Sequence, residues 1–184
     1  MLSLVQKKTL QRLAHHALET LYCDGSPATA ITVGLEEITC GYSGVFVSLH
    51  VNNKLRGCIG NLNEAAPLAE LIVEMTQAAA CHDPRFEPVR AEELRNVTIE
   101  ISLLHRMEPV RSPEEIEIGR DGLMVRRGKK HGLLLPQVAA KRDWEAITLL
   151  EQTCRKADLP PEAWQEPETE VFRFQAEVFS DHDE

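Results

Sequence analysis

The chain has 184 residues, 43% of them hydrophobic and 27% charged, enough apolar material for one good core or two small lobes of an ordinary globular protein. Its net charge of −9 argues against non-specific nucleic-acid binding, which needs a basic face, and no run of residues reaches the apolar length of a membrane-spanning helix. Five scattered cysteines, Cys23, Cys40, Cys58, Cys81 and Cys154, fit reduced thiols better than a disulfide framework.

No cysteine pair has the spacing of a zinc site, and the three-cysteine cluster of a radical-SAM iron–sulfur centre is absent, so no metal is expected. The N-terminus lacks the apolar core of a signal peptide, which predicts a cytoplasmic protein. The first element is a docking helix from Ser3 to about Tyr22, with Leu4, Leu10, Leu13, Ala14, Ala17, Leu18 and Leu21 on one stripe. His15 and His16 lie on it about 100° apart around the axis, too divergent to share a metal. Cys23–Pro27 has turn chemistry, and the stretch through Ile31 and Ile38 reads as loop with short extended pieces.

Gly44–Val51 is an apolar, β-branched and aromatic run that predicts a buried strand, and the polar turn Asn52–Lys54 closes a hairpin. Its second strand is Leu55-Arg56-Gly57-Cys58-Ile59-Gly60, the stretch where chemistry concentrates. Strand alternation puts Arg56 and Cys58 on one face, and a guanidinium beside a thiol favours the thiolate. Gly57 and Gly60 mark a bulge, or a close approach of a backbone or a ligand. A free cysteine also serves as a small buried filler, and the residues alone leave both roles open.

Pro67 opens a helix with Leu68, Leu71, Ile72, Met75 and Ala79 on its apolar face, running to about Cys81. His82-Asp83-Pro84-Arg85-Phe86-Glu87-Pro88 is then a rigid connection in which Asp83 and Arg85 either lock the loop or face a ligand. Ala91–Leu94 is a helical turn. Val97–Leu104 is a strand whose odd-numbered residues face the core, and Thr98, Glu100 and Ser102 share the other face. A second hairpin joins Gly122–Arg126 to Gly132–Leu135 across a basic tip, Arg126–Lys130. Pro136 closes it, a helix carries Trp144, Ile147, Leu150 and Cys154, and Val171–Phe179 is the last strand.

The two halves match when overlaid, hairpin to hairpin, helix to helix and strand to strand, at an offset of about 78 residues at the first glycines and about 74 at the last strands. This predicts an α+β fold, a single domain over 1–184 with related halves at about 44–104 and 122–179, and the N-terminal helix docked on the first. In that overlay leucines of the second half fall where the first has Arg56 and Cys58. His131, near the start of the second strand, is the histidine most readily brought toward the thiol, or else a solvated surface residue.

Leu-Arg-Gly-Cys-Ile-Gly resembles the signature of the AMME chromosomal region protein family, known in bacteria and archaea as the AmmeMemoRadiSam system protein A. Gly44–Val47, Asp83–Phe86, Glu100–Leu103, Gly132–Val138 and Cys154–Ala157 are similar to the family's other motifs, in the same order, over nearly the whole chain. The family's Lys-Ala-Gly-Leu stands here as Lys156-Ala157-Asp158-Leu159. The resemblance implies duplicated units around one curved, barrel-like sheet with helices outside. It also implies association with a Memo-like protein and a radical-SAM enzyme in a modification or biosynthetic pathway.

Two functions of different kinds follow. In the first, Cys58 is a nucleophile or acceptor thiol, with Arg56 and Asp83 as its catalytic partners. Arg56, Gly57, Gly60, Arg85 and His131 then hold a small anionic ligand. In the second, the chain is a non-catalytic scaffold that docks partners through the LRGCIG surface. There is no H-E-x-x-H, P-loop or G-x-G-x-x-G pattern, so no cofactor is expected.

Overall fold

The computed structural model describes residues 1–22 and 42–182. The turn at Cys23–Pro27, the loop through Ile31 and Ile38, and Cys40 lie outside the described residues. The rest is a mixed α+β fold in two compact units, residues 1–103 with 177–184 and residues 104–176.

In the first unit, helix α1 (Leu4–Glu19) begins where the sequence stops it from beginning earlier. Ser3 Oγ accepts the Gln6 N–H at 3.3 Å, and Gln6 Oε1 accepts the Ser3 N–H at 2.9 Å, a reciprocal cap. Strands β1 (Tyr42–Val51) and β2 (Lys54–Asn61) form a hairpin whose turn residues Asn52 and Asn53 both take positive φ, 51° and 60°. That geometry matches the twist of the flanking strands and is tolerated by asparagine. Helix α2 (Leu68–Cys81) follows Pro67, and strand β3 (Val97–His105) follows a short 3-10 turn at Ala91–Asn96. The alternating residues Val45, Val47 and Leu49 of β1 and Val97, Ile99 and Ile101 of β3 are buried with Leu10, Leu13, Ala14 and Leu18 of α1 and Leu71, Ile72 and Met75 of α2. One face of the sheet thus carries the helices, as the period of two in the strands and the 3.6-residue stripe in the helices require.

The second unit is residues 104–176. After the short strand β4 (Glu108–Pro109) come the hairpin β5 (Gly122–Arg127) and β6 (Lys130–Leu134), the short helix α3 (Pro136–Ala140), helix α4 (Ala146–Lys156) and strand β7 (Glu170–Phe174). Leu123, Val125, Leu149, Leu150, Cys154, Ala163 and Val171 form its own core.

The expectation of one curved, barrel-like sheet shared by both halves is corrected here. Among the described residues there are two four-stranded sheets, ordered β2-β1-β3-β8, where β8 is Ala176–Ser180, and β4-β7-β5-β6, neither closed into a barrel. The physical reason lies in the last strand. Val171–Phe179, expected as one element, breaks at Gln175 into β7 and β8 (Ala176–Ser180). Burial falls on Val171 and Phe174, then on Glu177 and Phe179, so the alternation loses phase and a single straight strand cannot bury both sets. Each sheet therefore takes its fourth strand from the segment that follows the third strand of the other: β4 follows β3 and pairs with β7, and β8 follows β7 and pairs with β3. Lys7 Nζ to Glu177 Oε1 at 2.9 Å and His15 Nε2 to Asp181 Oδ2 at 2.9 Å tie α1 to the end of the chain.

Candidate functional site

The LRGCIG residues occupy β2, an edge strand of the first sheet. Leu49 pairs with Gly57 but His50 with Leu55, so Arg56 is the extra residue of a β-bulge. Gly57 faces the helices. A Cβ there would stand 2.0 Å from the carbonyl oxygen of Ala79 in α2, so the strand lies against helix backbone with no room for a side chain. Gly60 points the other way, and a Cβ would enter the Phe46 ring that covers it from β1. Ile59 packs on the core, which puts Cys58 on the face opposite the helices, half-buried beside Ser48, its cross-strand partner.

The segment after α2 wraps the free edge of this strand. Asp83, with its side chain only 2% exposed, accepts the Cys58 N–H at 2.8 Å, while Arg85 Nη2 donates to the Cys58 carbonyl at 3.2 Å. Together the two side chains supply the donor and acceptor that a neighbouring strand would have offered. Both Asp83 oxygens are engaged twice: Oδ1 by the Arg85 N–H at 3.1 Å and Arg85 Nε at 2.9 Å, Oδ2 by the Cys58 N–H at 2.8 Å and Arg85 Nη2 at 2.6 Å. The hydrogen bonds from Arg85 hold the Asp83 carboxyl far below the usual carboxylate range, against the opposing effect of burial. All four acceptor positions are filled, which leaves none for a substrate proton.

Arg56 is committed in the same way. Nε and Nη2 clamp Glu93 at 2.9 and 3.0 Å, Nη2 also reaches the Pro88 carbonyl at 2.9 Å, and Nη1 donates to the Glu87 carbonyl. Glu93 in turn accepts the Arg90 N–H at 2.8 Å, and its carboxyl is lowered chiefly by the hydrogen bonds from Arg56. The cation that reaches Cys58 is Arg85 rather than Arg56: its guanidinium donates to the Cys58 carbonyl at 3.2 Å, is 55% exposed and lies over the Phe86 ring. Arg56 is drawn away by the bulge, which breaks the simple alternation that would align it with Cys58.

A model of the AMMECR1 family matches residues 11–179. The chain belongs to the AMMECR1 family. A protein of Methanothermobacter thermautotrophicus is 42% identical over 184 residues, covering 97% of this chain and 95% of the relative. One from Thermococcus gammatolerans is 46% identical over 148 residues, 75% of this chain and 72% of the relative. Among solved structures, the crystal structure of an uncharacterized protein from Pyrococcus horikoshii superposes with a TM-score of 0.82 at 38% identity, over 94% of this chain and 90% of that one.

In this AMMECR1-family chain Arg56, Gly57, Cys58, Asp83 and Arg85 are thus brought onto one strand edge. His131 is exposed on β6 of the second unit, paired across the hairpin with Arg126. A Cβ on Gly132 would stand 2.4 Å from the Ala157 backbone nitrogen, at the end of α4.

Sequence reasoning missed Glu93. Nothing local separates it from Glu92; only the folded position of the 3-10 turn beside β2 selects it. Among the described residues no group of three or more His, Cys, Asp or Glu side chains could hold a metal ion, and no helix is long and apolar enough to cross a membrane.

Proposed function

We propose that this chain is a cytoplasmic, non-catalytic interaction component of a modification or biosynthetic pathway, working with Memo-like and radical-SAM proteins, and that it docks through the surface around β2. The observation that carries this reading is the commitment of Arg56 and Asp83 to the chain itself: one strapped to Glu93 and two carbonyls, the other to Arg85 and two backbone N–H groups. A nucleophilic thiol needs a base with a free acceptor, and the carboxylate next to Cys58 has none. What the same surface does offer outward is Leu55, 39% exposed, Leu62 just beyond the strand, and the half-exposed Arg85. Exposed apolar side chains give a partner area to cover, and arginine is among the residues enriched at the anchoring points of protein interfaces. Co-purification with the two partners tests this: Leu55→Asp is expected to abolish capture without unfolding the chain, and undiminished capture would reject the patch.

A second reading, a site for thiol chemistry or a small anionic ligand at Cys58, is favoured by one observation, the half-exposed Arg85 guanidinium held on the carbonyl of the half-buried Cys58. It predicts that Cys58 is alkylated at neutral pH well ahead of Cys81 and Cys154. Equal rates would remove it.

We also infer that the two units are one plan used twice. Supporting this are the matching orders β2-β1-β3 and β6-β5-β7, the glycines Gly57 and Gly132 against helix backbone, and the fully buried Thr76 and Thr153, each donating to the carbonyl four residues earlier at 2.6 Å.

A further inference from the structure

The second unit contains a cleft of about 490 Å³ whose lining lies wholly within that unit. The first unit covers its sheet with two long helices, of 16 and 14 residues; in the second the one helix of comparable length, α4, has 11. Val110 and Val171 border the cleft from the sheet side, Ile147 and Leu150 from α4, and Trp164 from the 3-10 turn after it. Ile147 stands one turn before the buried Leu150 and is itself 52% exposed, an isoleucine whose burial the chain leaves incomplete. Burial of such a side chain by a ligand is worth a substantial part of its transfer free energy, and a cleft of this size has room for a small molecule.

The charge of the lining gives the ligand its other half. Although the chain carries 29 acidic and 20 basic residues, the cleft is lined by one charged residue only, and that residue is Arg111. Four other arginines of the unit are held by carboxylates, Arg120 by Glu117 and Asp121, Arg126 by Glu170, Arg127 by Glu166 and Arg173 by Glu108, while Arg106, Arg142 and Arg155 do not line the cleft. The Arg111 guanidinium has no carboxylate partner among the described residues; only its backbone N–H is engaged, by Glu115 at 3.4 Å. Ser112 and Gln165 add polar groups to the lining.

We propose that this cleft binds a small amphipathic carboxylate, its apolar body against Ile147, Leu150, Trp164 and Val171 and its head group on Arg111. The volume suits a small molecule better than a protein segment, because small-molecule pockets run from about 300 to 1,000 Å³ whereas protein interfaces are broad and flat. The arginine fork matches a carboxylate in shape as well as in charge. This site is independent of the docking surface on β2, so either can fail without the other.

Calorimetric titration of the full chain with decanoate tests it. Decanoate is expected to bind one to one with a Kd below about 1 mM, while decyltrimethylammonium, with the same chain and the opposite charge, is not. Arg111→Gln, on an exposed side chain whose loss leaves the circular dichroism unchanged, is expected to weaken decanoate at least roughly tenfold, the loss that follows when a charge-assisted hydrogen bond is removed. Ile147→Asp is expected to do the same through the apolar body. Failure of decanoate to bind, equal binding of the cation, or an Arg111→Gln protein with wild-type affinity would overturn the proposal. Self-association that Ile147→Asp abolishes, without decanoate binding, would assign the cleft to a second copy of the chain and overturn it equally.

Discussion

Replacing Gly57 by alanine separates two effects by sign. Strand propensity alone favours the variant, since alanine in a strand interior is better than glycine by roughly 0.5–1 kcal/mol. The packing predicts the reverse. The new Cβ would stand 2.0 Å from the Ala79 oxygen and 3.0 Å from its carbonyl carbon, so reaching ordinary contact at 3.4 Å requires β2 and the backbone of α2 to part by more than 1 Å. Helix backbone cannot swing aside as a side-chain tip can. The cost therefore lies at the upper end of overpacking, about 3 kcal/mol. With a urea m-value of about 2 kcal/mol/M, the midpoint falls by about 1.5 M at unchanged slope. Gly128→Ala is the control: nothing lies within 4 Å of its Cβ and only its φ of 59° opposes the change, for about 1 kcal/mol. Gly57→Ala with wild-type or higher stability would show that α2 does not rest on this strand as described.

The Asp83 carboxyl is held below its ordinary value of 3.8, so it stabilises the fold above that pH and the stabilisation is lost as pH falls through the depressed value. Asp83→Asn is expected to cost about 2 kcal/mol near neutrality, between a surface and a buried pair because Arg85 is half-exposed, and the gap to wild type should shrink below pH 3.8; a gap constant with pH would refute it. His15 is shifted the other way, raised above 6.5 by its hydrogen bond to Asp181, so its contribution is complete below pH 6.5 and disappears as pH rises through the raised value. His15→Gln should lower stability at pH 5.5 by less than about 1 kcal/mol, since the ring is partly exposed, and leave it unchanged at high pH; equal melting at both would count against the pairing.

Periodicity was enough to read α1, α2, both hairpins and β3, because each buries one face and the burial sets the repeat. It was not enough at Val171–Phe179, where every residue suits a strand but the phase of burial changes at Gln175 and sends the two pieces to different sheets. The exchange of fourth strands is set by which sheet lacks an edge partner, and that is a tertiary fact. At the site, the glycines of LRGCIG announced a close approach, found against Ala79. The side-chain partners were less visible. Alternation aligned Arg56 with Cys58, but a bulge depends on the opposing strand, and it gave Arg56 to Glu93 and left the Cys58 carbonyl to Arg85.

The measurement that bears most directly on the docking account is pathway output with a Cys58→Ala chain, alongside partner capture by the same protein. A docking surface held by Asp83 and Arg85 through the Cys58 backbone needs the strand, not the sulfur. The account predicts partner capture and output equal to wild type. Intact capture with output abolished would contradict it and establish Cys58 as a reacting thiol.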